Sequence, residues 1–181
     1  MTFPSFSVGE VLRAQDMNAV GMWLVKTQAV GAGVSSVPVT NCFSADYDNY
    51  KITYTGGTGN TFQDISMILG ATTSGYYWTD TATSYVNGAV SGLGSNTTSN
   101  AYWRVGKVTT GGAVVNMDIT CPFVAGVRPF FNSIGSFATS TGTGVMNAGF
   151  LDNGSSYTGF TLNPIGSTLT GGTIRVYGYR N

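Results

Sequence analysis

Charge is what this chain has least of. Its 181 residues hold 8 Lys+Arg and 8 Asp+Glu, so 9% are charged and the formal net charge is zero. A soluble domain averages about 25%. Sparse, balanced charge leaves no basic patch for a phosphate backbone, so no nucleic-acid partner is expected. Histidine is absent, which removes Ser-His and Cys-His nucleophilic pairs and every histidine-ligated metal centre. Cysteine occurs only as Cys42 and Cys121. Two thiolates without histidine make a poor zinc site, and neither a metal nor a cofactor is expected. No run approaches the ~20 apolar residues of a membrane-spanning helix, so no membrane insertion is expected. The opening Met1-Thr2-Phe3-Pro4-Ser5 lacks the basic and apolar regions of a secretory signal. Synthesis in a cytosol follows as the expectation, with free thiols rather than a disulfide.

What is present is apolar and small. Hydrophobic residues make up 42% and aromatics 13%, beside 26 glycines. That is enough apolar area for one domain with a core, and it argues against disorder. Two textures divide the chain. Residues 1–33 read as a short helical arm. Ser7-Val8-Gly9-Glu10 has the form of a capping box, and Val8, Val11, Leu12, Ala19, Met22 and Trp23 recur at roughly helical spacing. Asp16 offers a second cap, for a helix from Met17 to about Val30. Val8, Val11, Leu12, Met17 and Met22 are the apolar candidates for docking this arm onto a partner. Gly31-Ala32-Gly33 ends it.

From Val34 the period changes to two. In Tyr50-Lys51-Ile52-Thr53-Tyr54 the bulky groups fall on one face and Lys51 and Thr53 on the other. Ile65–Leu69, Tyr102–Val105, Val115–Ile119 and Ile174–Tyr177 alternate similarly. Shorter candidates lie at 37–43, 76–79, 127–131, 145–151 and 158–162. Gly, Asn, Ser and Thr clusters separate them, with 94–100 as the most loop-like stretch. Eight to ten short strands without helix-length connections predict an all-β domain over 34–181, an antiparallel β-sandwich of the jelly-roll kind. Only three lysines occur in the chain, whereas monomeric sheets usually guard their edges with charge. The strand faces are Thr, Ser and Asn, cheap to desolvate against a second copy, so a homo-oligomer is expected.

Little here carries chemistry. Asp46 and Asp48 are the one close acidic pair, and Asp46-Tyr47-Asp48-Asn49 lacks the Gly and Glu of a calcium loop. Turn formation is the reading. Gly57-Thr58-Gly59, Gly142-Thr143-Gly144 and Gly106-Lys107-Val108 match no phosphate-binding pattern. No catalytic residue is assigned and the chain is expected not to be an enzyme; a polysaccharide-cleaving site from two Asp stays open as an alternative. Aromatics are the remaining candidates. Neighbours in a strand point to opposite faces, so Trp103 and Tyr77 are expected in the core. Tyr76, Trp78 and Tyr102 then face outward. With Trp23, Tyr157 and Tyr179 they form the candidate set for subunit contacts or for stacking on sugars.

Three segments are similar to a known kind of protein. Phe6–Val20 contains Gly9-Glu10-Val11-Leu12-Arg13-Ala14-Gln15-Asp16-Met17-Asn18, which resembles an N-terminal segment of tailed-bacteriophage fibre and minor structural proteins. Asn41–Ile52 resembles the first strand pair of their β-sandwich domains, and Gly171–Tyr179 resembles the last strand. The resemblance implies a virion component made in the host cytoplasm. It implies a subunit that is commonly trimeric and docked on the particle by its N-terminal arm. It covers tail fibres, head fibres and capsid decoration proteins alike. Contact with host-surface glycans is the further expectation for a fibre. A decoration subunit bridging capsomers and a free-standing lectin are the alternatives.

Overall fold

The computed structural model of the chain describes residues 9, 21–137 and 142–179. Within them the chain is all-β, with antiparallel pairing throughout and no helix. The strands are β1 (Met22–Ala29), β2 (Val37–Val39), β3 (Asn49–Gly59), β4 (Gln63–Leu69), β5 (Tyr76–Ser84) and β6 (Val90–Ser95). They continue as β7 (Trp103–Thr109), β8 (Gly112–Thr120), β9 (Phe130–Phe137), β10 (Thr143–Leu151), β11 (Phe160–Pro164), β12 (Leu169–Thr170) and β13 (Thr173–Tyr179).

The sheet forks at β8. One edge of β8 pairs with β3 from Ala113 to Thr120. The other edge is shared: Gly112–Val115 pairs with β7, and Met117–Thr120 pairs with β9. From this fork one limb runs β7-β4-β11-β2 and the other runs β9-β10-β5-β6, while β3, β13 and β1 form the stem. Period-two sequence explains most strands. Tyr50, Ile52 and Tyr54 are fully buried, with Lys51 and Thr53 half-buried between them. One contiguous core takes Tyr50, Ile52 and Val176 from the stem, Met67 and Leu162 from the first limb, and Tyr76 and Phe131 from the second. Phe43 joins stem to limb, with its ring 4.8 Å from Tyr50 and 5.8 Å from Phe160.

Two expectations are corrected. Residues 22–29 are not helical: they form β1, paired with β13 from Met22↔Tyr179 to Ala29↔Thr173. Pairing with the open edge of β13 overrides the local helical spacing, and a bulge between Leu24 and Lys26 absorbs the mismatch. The rest of the expected arm, with Val8, Val11, Leu12 and Met17, lies outside the described residues. The loop expected over 94–100 starts too early, because Val90–Ser95 is β6. The hairpin turn holds this Gly-rich strand to β5, with Ser84 N–H donating to Ala89 O (2.9 Å) and Gly88 at φ +68°.

Gly149 sits where the backbones of β5 and β10 approach Phe131. A Cβ there would collide with the Tyr77 carbonyl oxygen and come within 2.8 Å of Phe131 Cε1. Gly149→Ala is therefore expected to cost about 2–3 kcal/mol, read as a lower urea midpoint at unchanged m-value. A neutral result would mean that the two strands part freely.

Candidate functional site

The broadest candidate is the outer face of β5, β10 and β9. Register places three rows across these strands: Tyr77–Phe150–Phe130, Thr79–Ala148–Asn132 and Thr81–Met146–Ile134. None of the nine carries a charge. Phe130, Ile134 and Met146 are more than half exposed, at 52%, 58% and 60%. In the aromatic row Tyr77 and Phe150 lie parallel at 4.7 Å, and Phe130 follows at 5.9 Å from Phe150. Packed against each other, these rings stand on the sheet as a ridge. A shallow groove runs beside it, bordered by Tyr77, Thr79, Ser95 and Asn96. Such a face suits a broad contact with another surface.

Where the face continues onto β8 and β3, charge appears as a compensated pair, and Arg175 follows on β13 opposite Thr53. Lys51 Nζ lies 3.2 Å from Asp118 Oδ2. Tyr179 OH donates to Asp118 Oδ1 at 2.6 Å. Burial, then the neighbouring Asp118 carboxylate, push the Tyr179 phenol up to about 12.

The second candidate is a charge cluster between the limbs. Asp64 on β4 is bridged on both oxygens, by Arg104 (2.7 Å) and Lys107 (2.8 Å) on β7. The Arg104 guanidinium also lies 4.7 Å from the centre of the Trp78 ring on β5, a cation–π contact across the fork. Asp80, two residues along β5, is 2% exposed. Burial raises its pKa above the usual carboxylate value; Lys107 and Arg104 oppose this and Asp64 reinforces it. Trp78 Nε1 and Arg104 Nε are buried without a hydrogen-bond partner among the described residues. Four of the chain's few charges are thus spent where the two limbs meet. The cluster can hold the limbs together. Both Asp64 oxygens are bridged to cations in this arrangement.

The aromatic candidates divide differently from expectation. Trp103 is fully buried as expected, but Tyr76 (0% exposed), Trp78 (9%) and Tyr157 (5%) are buried too. They are corrected from surface candidates to core. Alternation along β5 holds, with the opposite phase: Tyr76 faces Trp103 edge-on at 5.3 Å, and Tyr77 is the residue turned outward. Tyr76 OH accepts from Leu69 N–H and donates to Thr72 O, while Tyr157 OH bonds Thr72 Oγ1. Tyr102 and Tyr179 are half-buried, Trp23 is 38% exposed and Met22 is 51% exposed on β1. Sequence reasoning missed Phe130, Ile134, Met146 and Phe150. Their signal was the alternation of Phe130-x-Asn132-x-Ile134 and Met146-x-Ala148-x-Phe150.

Asp46 forms a turn, accepting from Ser44 Oγ at 3.0 Å. Cys42, buried, and Cys121, half-buried, are both free thiols. Burial is the main cause pushing Cys42 up to about 12, which makes it unreactive at neutral pH. Among the described residues no three His, Cys, Asp or Glu side chains converge as a metal set. No helix among them is long and apolar enough to cross a membrane. Comparison with known protein families, curated proteins and solved structures finds no match to this chain.

Proposed function

We propose that this chain is a structural subunit of a tailed-bacteriophage virion, a homotrimer of the fibre type without enzymatic activity. In this reading the segment before β1 anchors the subunit to other virion proteins. The β-body, read as a jelly-roll-like sandwich, projects outward and touches host-surface glycans. The observation that carries it is the uncharged outer face of β5, β10 and β9 with Phe130, Ile134 and Met146 exposed. A free monomer gains nothing from such a surface, whereas an assembly covers it at little desolvation cost. The Gly9–Asn18 resemblance supplies the phage context.

The anchoring role is tested by truncation. Because Met22–Ala29 is β1, the cut must stop at residue 20; removing 30 residues would also strip a strand from β13. The full chain is expected to run on a sizing column at about three times 18.9 kDa by light scattering. The chain lacking residues 1–20 should keep its thermal transition and fail to enter particles. A monomeric full chain overturns the trimer, and normal incorporation of the truncated chain overturns the anchor. A capsid decoration subunit is the second reading, favoured by the exposed apolar side chains Phe130, Ile134 and Met146 on the outer face, which fit a protein surface as well as a glycan. Particles lacking the protein distinguish the two: a fibre's loss abolishes adsorption, and a decoration protein's loss weakens the capsid.

A further inference from the structure

The course β1-β13-β3-β8-β9-β10-β5-β6 leaves β1 and β6 as its two outer strands, and among the described residues each has one neighbour. Exposed edges in soluble sheets are normally blunted by Lys, Pro or inward charges. β6 has none of these: it reads Val-Ser-Gly-Leu-Gly-Ser, with Val90 68% and Leu93 56% exposed. The Ser84 N–H to Ala89 O bond sets the alternation along this hairpin. Ser91, Leu93 and Ser95 therefore bond to β5, while Val90, Gly92 and Gly94 turn their N–H and C=O groups to the open side. At the far edge, Val30 N–H donates to Gly172 O (3.1 Å), which turns Thr27 and Ala29 outward. β1 carries a single charge, Lys26, and exposes Met22, Trp23 and Leu24.

The two edges are also matched in direction. Eight strands in antiparallel order make β1 and β6 run oppositely. A second copy, rotated about an axis along the strands, therefore brings its β1 antiparallel to β6. We propose that copies of this chain join edge to edge and head to tail, β6 of one against β1 of the next, closing into a ring. Pairing β6 with β6 would also be antiparallel, but it would leave both β1 edges open; the head-to-tail joint consumes both outer edges of this course. The joint adds main-chain hydrogen bonds at Gly92, Gly94, Thr27 and Ala29 and covers Val90, Leu93 and Leu24. It rests on the self-association proposed above and specifies its surface.

Guarding the edge tests it. The double variant Gly92→Lys/Gly94→Lys is expected to reduce the native mass from the oligomer to the 18.9 kDa monomer, with circular dichroism and melting temperature close to wild type. Since a variant can fail for other reasons, cysteine crosslinking provides a second reading. Chains carrying Gln28→Cys, mixed with chains carrying Ser91→Cys or Leu93→Cys and oxidised, should give disulfide-linked pairs of unlike chains, absent from unsubstituted protein. Homotypic Ser91→Cys or Leu93→Cys pairs, or an unchanged mass for the guarded variant, overturn the edge joint and leave self-association standing. A monomeric wild type overturns both.

Discussion

Replacing Trp103 with Ala is expected to destabilise the fold by about 3–5 kcal/mol, the largest effect of any single truncation considered. Trp103 is fully buried at the point where the limbs diverge. Its ring meets Tyr76 edge-on at 5.3 Å and Phe131 at 4.7 Å, so it packs β7 against both β5 and β9. Its Nε1–H donates to Phe150 O at 3.0 Å, on β10. Three strands of one limb are thus tied to the first strand of the other by one side chain. The loss has two parts. Trp103→Phe keeps most of the ring volume and leaves the Phe150 carbonyl without its donor, at about 1–2 kcal/mol. The remainder of the alanine effect is packing and cavity. Urea unfolding of both variants checks the division: equal losses would mean that the hydrogen bond, rather than the ring, joins the limbs.

Asp64 and Asp80, neighbours in one cluster, are expected to respond in opposite directions. Asp64→Ala removes the anion that bridges Arg104 and Lys107. The side chains are 15–26% exposed, so solvent screens them in part. The expected loss is about 2 kcal/mol, between the ~0–1 of an exposed pair and the ~3–5 of a fully buried one. Asp80→Asn should stabilise the protein at neutral pH. The folded-state pKa of Asp80 is raised by burial, so the native state holds its proton more tightly than the unfolded chain does. That contribution is fully present below the ordinary value of 3.8 and is lost as pH rises through the raised folded value. Above that window the wild type bears a penalty that the neutral, isosteric Asn escapes. The stability gap between variant and wild type should therefore open as pH rises from about 3 towards 7, measured by thermal unfolding in matched buffers. A gap constant with pH, or a destabilised Asn variant at neutral pH, would mean that Lys107 and Arg104 outweigh burial at Asp80. A stabilising Asn variant would also mean that Asp80 is retained at a cost to the fold, consistent with a role in setting how the limbs meet.

How far these features were legible in the sequence depends on the distance over which each is set. The strands β3, β4, β8 and β13 were readable because a pleated strand alternates its side chains whatever it pairs with. The phase of that alternation was not readable in β5. In Tyr76-Tyr77-Trp78 every residue is aromatic, so hydrophobicity alone could not say which went inward. The register of β5 against β10, which sets Trp78 opposite Gly149 and Tyr77 opposite Phe150, decided it. β1 was misread because Met22 and Trp23 extend an apolar spacing that a helix also satisfies, and the open edge of β13 lies some 150 residues away by the pairing Met22↔Tyr179. The Arg104–Asp64 contact spans 40 residues, and neither residue's local surroundings mark it as paired.

The sequence by itself determined that the chain from Val34 onward is all-β and antiparallel, because period-two alternation and turn chemistry are local properties of the chain. It also determined that the surface would be nearly uncharged. Tertiary structure alone decided that β8 serves two limbs on one edge, that scarce charges converge between those limbs, and that β1 and β6 end up as the open edges of one course. Each of these depends on which strand lies beside which, a choice made by packing energies summed over the whole core and invisible in any short stretch of sequence.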